Sequence, residues 1–377
     1  MTFNRIKQNF VNIPGWTTQR KIVVIESDDW GSVRMSSKDA IAKLTEFGHD
    51  FEKDLYGKYD SLASEEDLTA LFEVLHSVKD KNGRPAVLTA NANMANPDFK
   101  KIKECNFQEY HYEIFTDTLK KYPKHGNAFQ LWQEGMQHQV FHPQFHGREH
   151  VNVLRWLRAL SKGDELIRAA FDFEIFGLKQ IKSENLRDGF MRALDYENES
   201  QFDVIKQSLI DGAKIFKEKF GYSSKSFIAP SYVWDAKVEE VLNDLGIRYL
   251  QGIRYQYQPE LNKQELQKKI HFLGQKNKLK QRYLIRNAFF EPTLLGKSNT
   301  IENVLKSMQT AFFWNKPVIL STHRINFIGF LNEQNRNKNL ILLQQLLQKI
   351  IHQWPNVEFM TSDRLGDLIN VKEKKGL

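Results

Sequence analysis

The chain has 377 residues, 41% of them hydrophobic and 12% aromatic, which is the make-up of a globular protein and excludes a disordered one. That length points to one large α/β domain with insertions, or a barrel with an appended segment. The formal charge of +8 is spread over dispersed Lys and Arg without an aromatic-basic module, which excludes a nucleic-acid binder but leaves anionic glycan or phosphate groups as partners.

The stretch Met1 to Gln19 lacks the continuous apolar segment of a secretory signal, and no apolar run approaches a membrane span. A reducing cytoplasm is the expected location. The single cysteine, Cys105, cannot form an intrachain disulfide and reads as a packed or surface thiol in a helical stretch from Phe99 to Phe107. Short β-rich runs at 21–27, 85–90, 138–142, 225–229, 247–250, 283–288, 317–322 and 357–361 are the predicted strands, alternating with amphipathic helical stretches. Ser64-Glu65-Glu66-Asp67 has the form of a capping box opening a helix through Leu75. A second helix is predicted from Gln201 to Phe220, stopping at Gly221, and a third from Leu340 to Ile351, apolar nearly all round. Residues 105–138 read as a structured insertion, and 251–282 turn polar and rich in Lys and Gln. No linker divides the chain. A single domain over 1–377 is expected, with its motif-bearing core at about 20–330 and a C-terminal helix and strand at 335–370 packing on it.

Chemistry gathers where predicted strands end. After the β-branched run Ile22-Val23-Val24-Ile25 come Asp28 and Asp29, then Trp30 and Gly31. Two neighbouring carboxylates cannot both be desolvated and ionised unless a cation or proton offsets their repulsion. One as metal ligand and the other as base for a water resolves the conflict; a polar loop containing two Asp is the ordinary alternative. Glu26 is expected to point away from Asp28 if the strand persists.

The next constellation is Phe141-His142-Pro143-Gln144-Phe145-His146-Gly147-Arg148-Glu149-His150, with three of the chain's 11 histidines. The spacing of His146 and His150 places both imidazoles on one side of a helical turn or tight loop, which suits one transition metal with His nitrogens at about 2.0–2.1 Å. His142, expected to end its strand, reads as a support or substrate-facing residue. Val318-Ile319-Leu320-Ser321-Thr322-His323-Arg324 is an apolar strand followed at once by a histidine. In a parallel barrel such strand ends converge on one rim; a loop histidine bonded to a carbonyl is the plain alternative. Ser226 to Asp235 ends a strand at Pro230 and then presents Tyr232 and Trp234, either to stack on sugar rings or to plug a helix–sheet gap.

In this order, the Asp pair, the H-x-x-x-H pair, the Pro-aromatic element and the strand-to-His element resemble the motifs of NodB-type polysaccharide deacetylases, carbohydrate esterase family 4. The resemblance spans about residues 20–330. It implies a distorted (β/α)7–8 barrel with loop insertions and hydrolysis of N- or O-linked acetyl groups on a glycan. Residue by residue, it implies Asp28 as catalytic base, Asp29, His146 and His150 as metal ligands, and His323 as general acid. Two imidazoles and a carboxylate suit Zn2+, with nickel, cobalt and iron as alternatives. An acetylated sugar or polysaccharide precursor is the implied substrate.

The chain departs from the family pattern at several places. Trp30 intervenes before Gly31, and Val151 follows His150 where proline is common. Ile228 stands where the family carries the arginine that pairs with the base. Arg148, Arg286 and Arg324 are the candidates to replace it, and Glu291 is the candidate to orient His323. Asn91, Asn93 and Asn96, beyond the second strand, are expected to face the site. Trp30, Asn91, His142, Arg148, Pro230, Tyr232, Trp234, Arg286, Glu291 and Arg324 are together the expected substrate-binding or supporting set. Two other readings stand beside this one: a glycan-binding protein on a decayed barrel, and a different amide or glycoside hydrolase on the same barrel.

Overall fold

The computed structural model describes residues 9–178, 187, 189–261, 263, 265–296 and 300–374. The start of the N-terminal stretch and parts of the Lys-rich 251–282 region lie outside them.

Thirteen strands occur among the described residues. They are β1 (Lys21–Trp30), β2 (Leu88–Ala92), β3 (Ala95–Pro97), β4 (Tyr112–Ile114), β5 (Phe141–Phe145), β6 (Ser226–Ile228), β7 (Tyr249–Gly252), β8 (Tyr255–Pro259), β9 (Leu266–Ile270), β10 (Arg282–Ile285), β11 (Ala288–Phe289), β12 (Val318–His323) and β13 (Val357–Met360). Eight of them form a parallel path in the order β10-β7-β6-β5-β2-β1-β12-β11, flanked by helices. Among the described residues no pairing joins β10 to β11, so the sheet does not close into a barrel. β13 pairs in parallel with Lys21–Val24, while β2 takes β1 from Ile25 onward. Val23 and Val24 also pair with β12, so β13 and β2 share the opposite edge of β1 end to end.

Every predicted strand has its counterpart, because buried parallel strands write continuous β-branched and apolar runs into the sequence. Ile22, Val23, Val24, Val318, Ile319 and Leu320 are all fully buried. The largest shift is at β5, expected to end at His142 and observed to run on to Phe145. Proline is normally excluded from central strands because it cannot donate to the ladder. Here β5 meets β6 only at Phe145, so the missing N–H of Pro143 leaves no β6 partner unpaired.

The helices follow their sequence signals. Glu65–His76 opens with the reciprocal Ser64/Asp67 capping box, and Phe202–Phe220 ends at Gly221 with φ 77°. Glu333–Gln353 is amphipathic rather than apolar all round: Leu343, Leu346, Leu347 and Ile350 are buried, whereas Ile341 is exposed. The 105–138 region is built from β4 and the helices Phe115–Lys121 and Ala128–Gln137. No helix among the described residues is long and apolar enough to cross a membrane.

Candidate metal and acid–base site

Consecutive residues of a regular strand face opposite sides, so two adjacent aspartates cannot both reach one rim without a break in the strand. β1 makes that break. Its register with β2 shifts between Ser27 and Trp30, and Asp29 takes φ 74°. The bulge turns the second carboxylate to the same side as the first. Aspartate is among the few non-glycine residues that tolerate the left-handed region. The following Gly31 (φ 81°) has no such latitude in type, since a Cβ there would lie 2.4 Å from the Asn93 carbonyl oxygen.

Asp28 is buried and gripped by Arg286 at the end of β10, whose Nη1 and Nη2 donate to Oδ2 and Oδ1 at 2.7 and 2.6 Å. Asn91 Nδ2 donates to Oδ1 at 2.8 Å. Burial pushes this carboxyl upward, but the charge and hydrogen bonds of Arg286 outweigh it and hold the pKa at about 2. Of the three candidate arginines, only Arg286 meets Asp28. Arg148 pairs with Glu149 and with Asp211, and lies over the Tyr112 ring. Arg324 donates to both oxygens of Asp60, at 3.1 and 3.0 Å.

Arg286 also donates from Nε to Glu26 Oε2 at 2.6 Å, and Glu26 accepts from Ser362 at 2.7 Å. The expectation that Glu26 points away from Asp28 is therefore corrected: residues two apart on a strand share a face. Burial raises the Glu26 pKa despite Arg286. Removing the guanidinium leaves two buried carboxylates facing each other. Arg286→Met should cost about 3–5 kcal/mol, measured by denaturant unfolding at neutral pH. Without Arg286 both carboxyls sit above their unfolded values, so the deficit should shrink as pH falls and both protonate.

Asp29 presents Oδ1 to His150 Nε2 at 3.3 Å and to His146 Nε2 at 3.5 Å. The ligand atoms of these three buried residues all lie within 4.8 Å of one another. A tetrahedral ion with ligands at about 2.0–2.1 Å requires a ligand–ligand spacing of about 3.3 Å, so both measured separations fit a divalent ion. His146 Nδ1 lies 2.8 Å from the Ile228 carbonyl, which makes it the donor and leaves Nε2 a lone pair. That Nε2 is buried and makes no hydrogen bond, a costly state unless a ligand takes it. The His150 pKa is driven down to about 3, by burial first, with Asp29 opposing, so this imidazole is neutral and free to ligate. Asp29 itself is held well below the usual carboxylate range, chiefly because the charge of Arg34 outweighs the effect of burial. The two histidines reach the site from an irregular loop after β5, not from a helical turn. Asn93 Nδ2 pins that loop by donating to the His146 carbonyl at 2.9 Å.

At the end of β12, His323 lies with Nδ1 2.6 Å from Glu291 Oε1 and Nε2 3.7 Å from Asp28 Oδ2. Burial lowers its pKa, but the charge and hydrogen bond of Glu291 raise it more, to about 9. Asn326 holds the other oxygen of Glu291 at 2.7 Å. Asp28, Asp29, His146, His150 and His323 line one cavity of about 320 Å³, together with Arg34, Tyr56, Met191, Ala229, Ser231 and Tyr232. Tyr232 accepts from Arg286 Nη1 at 3.2 Å, and burial pushes its hydroxyl up to about 12.

Other expected members lie elsewhere. His142 sits within β5, stacked on Tyr222 and 3.3 Å from Asp363, because the strand continues beyond it. Trp234 is buried with its indole N–H on Glu239 at 3.0 Å, so it fills a gap rather than a site mouth. Trp30 is buried edge-on against Trp132 and Phe141, and its indole bonds Ser27. Pro230 is buried at the start of the turn carrying Tyr232. Asn96 braces Gly31, Val33 and Thr118 instead of facing the cavity. Conversely, Arg34, Tyr56 and Met191 line the cavity without a motif to signal them, and Ser231 does so from within the Ser226–Asp235 element.

No family profile matches the sequence, and no curated protein matches it. Among solved structures, the fold is similar to a probable polysaccharide deacetylase from Pseudomonas aeruginosa PAO1, at 10% identity and TM-score 0.44 over 93% of this chain and 91% of that one. It is also similar to a carbohydrate esterase family 4 pseudoenzyme from Bacillus anthracis, at 10% identity and TM-score 0.37 over 90% of this chain and 64% of that one. A 4-alpha-glucanotransferase from Thermococcus litoralis matches at 9% identity and TM-score 0.44 over 92% of this chain, which spans 40% of that protein's length.

Proposed function

We propose that the chain is a metal-dependent hydrolase that removes N- or O-linked acetyl groups from a carbohydrate or polysaccharide precursor. The observation that carries the reading is the meeting, in one cavity, of three things: an Asp-His-His ligand set, a carboxylate held ionised by arginine, and a histidine backed by a carboxylate. The order of the sequence motifs supports it independently.

Asp29, His146 and His150 would hold a divalent cation, zinc by their donor chemistry. When bound, such an ion polarises an acyl carbonyl and lowers the pKa of water. Asp28, kept unprotonated by Arg286, takes the proton from the attacking water. His323, its imidazolium favoured by Glu291, gives a proton from Nε2 to the departing amine or alkoxide, and acetate is left. The cavity is at the small end of the ~300–1,000 Å³ range of ligand sites, a size that accommodates one acetylated sugar unit.

Elemental analysis of the purified chain should find one divalent ion per molecule, largely lost in His150→Ala. Acetate should be released from acetylated sugars by the former and not by the latter. Equal metal in both proteins would sink the ligand assignment. Metal-dependent release of ammonia or free sugar in place of acetate would move the chain to another hydrolase class.

A further inference from the structure

We infer that Arg34 is a positioning residue that withholds one oxygen of Asp29 from the metal, so that Asp29 ligates through Oδ1 alone. This rests on the metal-dependent reading above. The two oxygens of Asp29 have different neighbours: Oδ1 faces both imidazoles, whereas Oδ2 lies 3.3 Å from Arg34 Nη2.

Arg34 has little freedom to leave. Its side chain is buried, its Nε lies 3.8 Å from Asp60 Oδ2, and its guanidinium sits 5.0 Å over the Tyr56 ring. Asp60 is in turn fully buried and held at both oxygens by Arg324, the residue after His323. The result is a buried run of alternating charge, Arg324–Asp60–Arg34–Asp29. It ties the carboxylate to the strand that carries His323 and fixes which oxygen is offered.

Two consequences follow for a bound ion. Holding back Oδ2 keeps a coordination position for water or an acyl oxygen, which a hydrolytic site needs. A guanidinium beside the ligand carboxylate also draws off negative charge, leaving the ion a stronger Lewis acid but a less tightly bound one. A merely structural ion pair predicts the opposite for affinity, because breaking it would loosen Asp29 and weaken binding.

The test uses the full chain loaded with Co2+, whose visible bands lose intensity when a carboxylate changes from one-oxygen to two-oxygen ligation. Arg34→Met should weaken those bands and, by removing a buried positive charge close to the ion, tighten Co2+ by about tenfold in competition with a chelator. Arg34→Lys, which keeps a cation and a donor beside Oδ2, should retain the wild-type spectrum and affinity. If Arg34→Met does not fold, Arg34→Leu is read in the same way. An unchanged spectrum with unchanged affinity in a folded neutral variant overturns the proposal, and so does weaker Co2+ binding. A wild-type chain that takes up no Co2+ refutes the metal reading itself, which is a separate failure.

Discussion

Asp28→Asn should abolish measurable acetate release while the protein stays folded and its metal content stays that of the wild type. The substitution keeps the shape of the side chain and removes its charge. None of the three candidate ligands is touched, since Asp29 carries the contacts to His146 and His150. A positioned base contributes about 10²–10⁴-fold, and the upper end is expected because, among the described residues, no other carboxylate is placed to substitute. Glu26 lies beneath Asp28 on the same strand face, but both its oxygens are taken, by Arg286 and Ser362. Glu291 is committed to His323 and Asn326. Turnover near the wild-type rate would mean that Asp28 is not the base. Stability offers a check on the same residue. The folded pKa of Asp28, about 2, lies below its ordinary 3.8. Its contribution is therefore present above pH 3.8 and is lost as pH falls through about 2. Asp28→Asn should thus be less stable than wild type at neutral pH, and the gap should close in strong acid.

The residues legible in the sequence were those attached to strand ends. Ile22–Ile25 and Val318–Leu320 announce buried parallel strands by their composition, and whatever follows such strands meets at one rim. Asp28, Asp29 and His323 could be placed that way. Arg286 could not be chosen over Arg148 and Arg324, because all three neighbour motif segments. Only the convergence of β10 with β1 separates them: Arg148 and Arg324 were already spent on acids of their own, Glu149 and Asp60. The bulge at Asp29 was hidden for a similar reason, since the β1–β2 register depends on a partner far along the chain. His142 sits elsewhere than expected, and the two readings of Trp234 could not be separated, because local pattern does not say which side of a strand or turn faces a cavity. Arg34 and Tyr56 come from the connection between β1 and β2, whose path over the rim leaves no periodic trace.

Removal of His323 should produce a defect that depends on the leaving group. A general acid matters most where the departing atom is a poor leaving group, as a sugar amine or alkoxide is. His323→Ala should therefore slow release from an acetylated sugar by about 10²–10⁴-fold. An activated aryl acetate, which leaves without protonation, should be slowed far less, and metal content should be unchanged. Equal losses on both substrates would assign His323 to binding instead. Glu291 extends the test. Its carboxylate, 2.6 Å from Nδ1, is the main cause that raises the His323 pKa against the opposing effect of burial. The active imidazolium exists below that pKa and disappears as pH rises through it. Glu291→Gln keeps a hydrogen-bonding group but removes the charge, so the alkaline limb of the pH–rate profile should move to lower pH. The same variant should show a milder form of the leaving-group selectivity, because an uncharged partner still orients the ring but no longer favours its protonated form. A Glu291→Gln profile superimposable on wild type would leave His323 without its proposed partner.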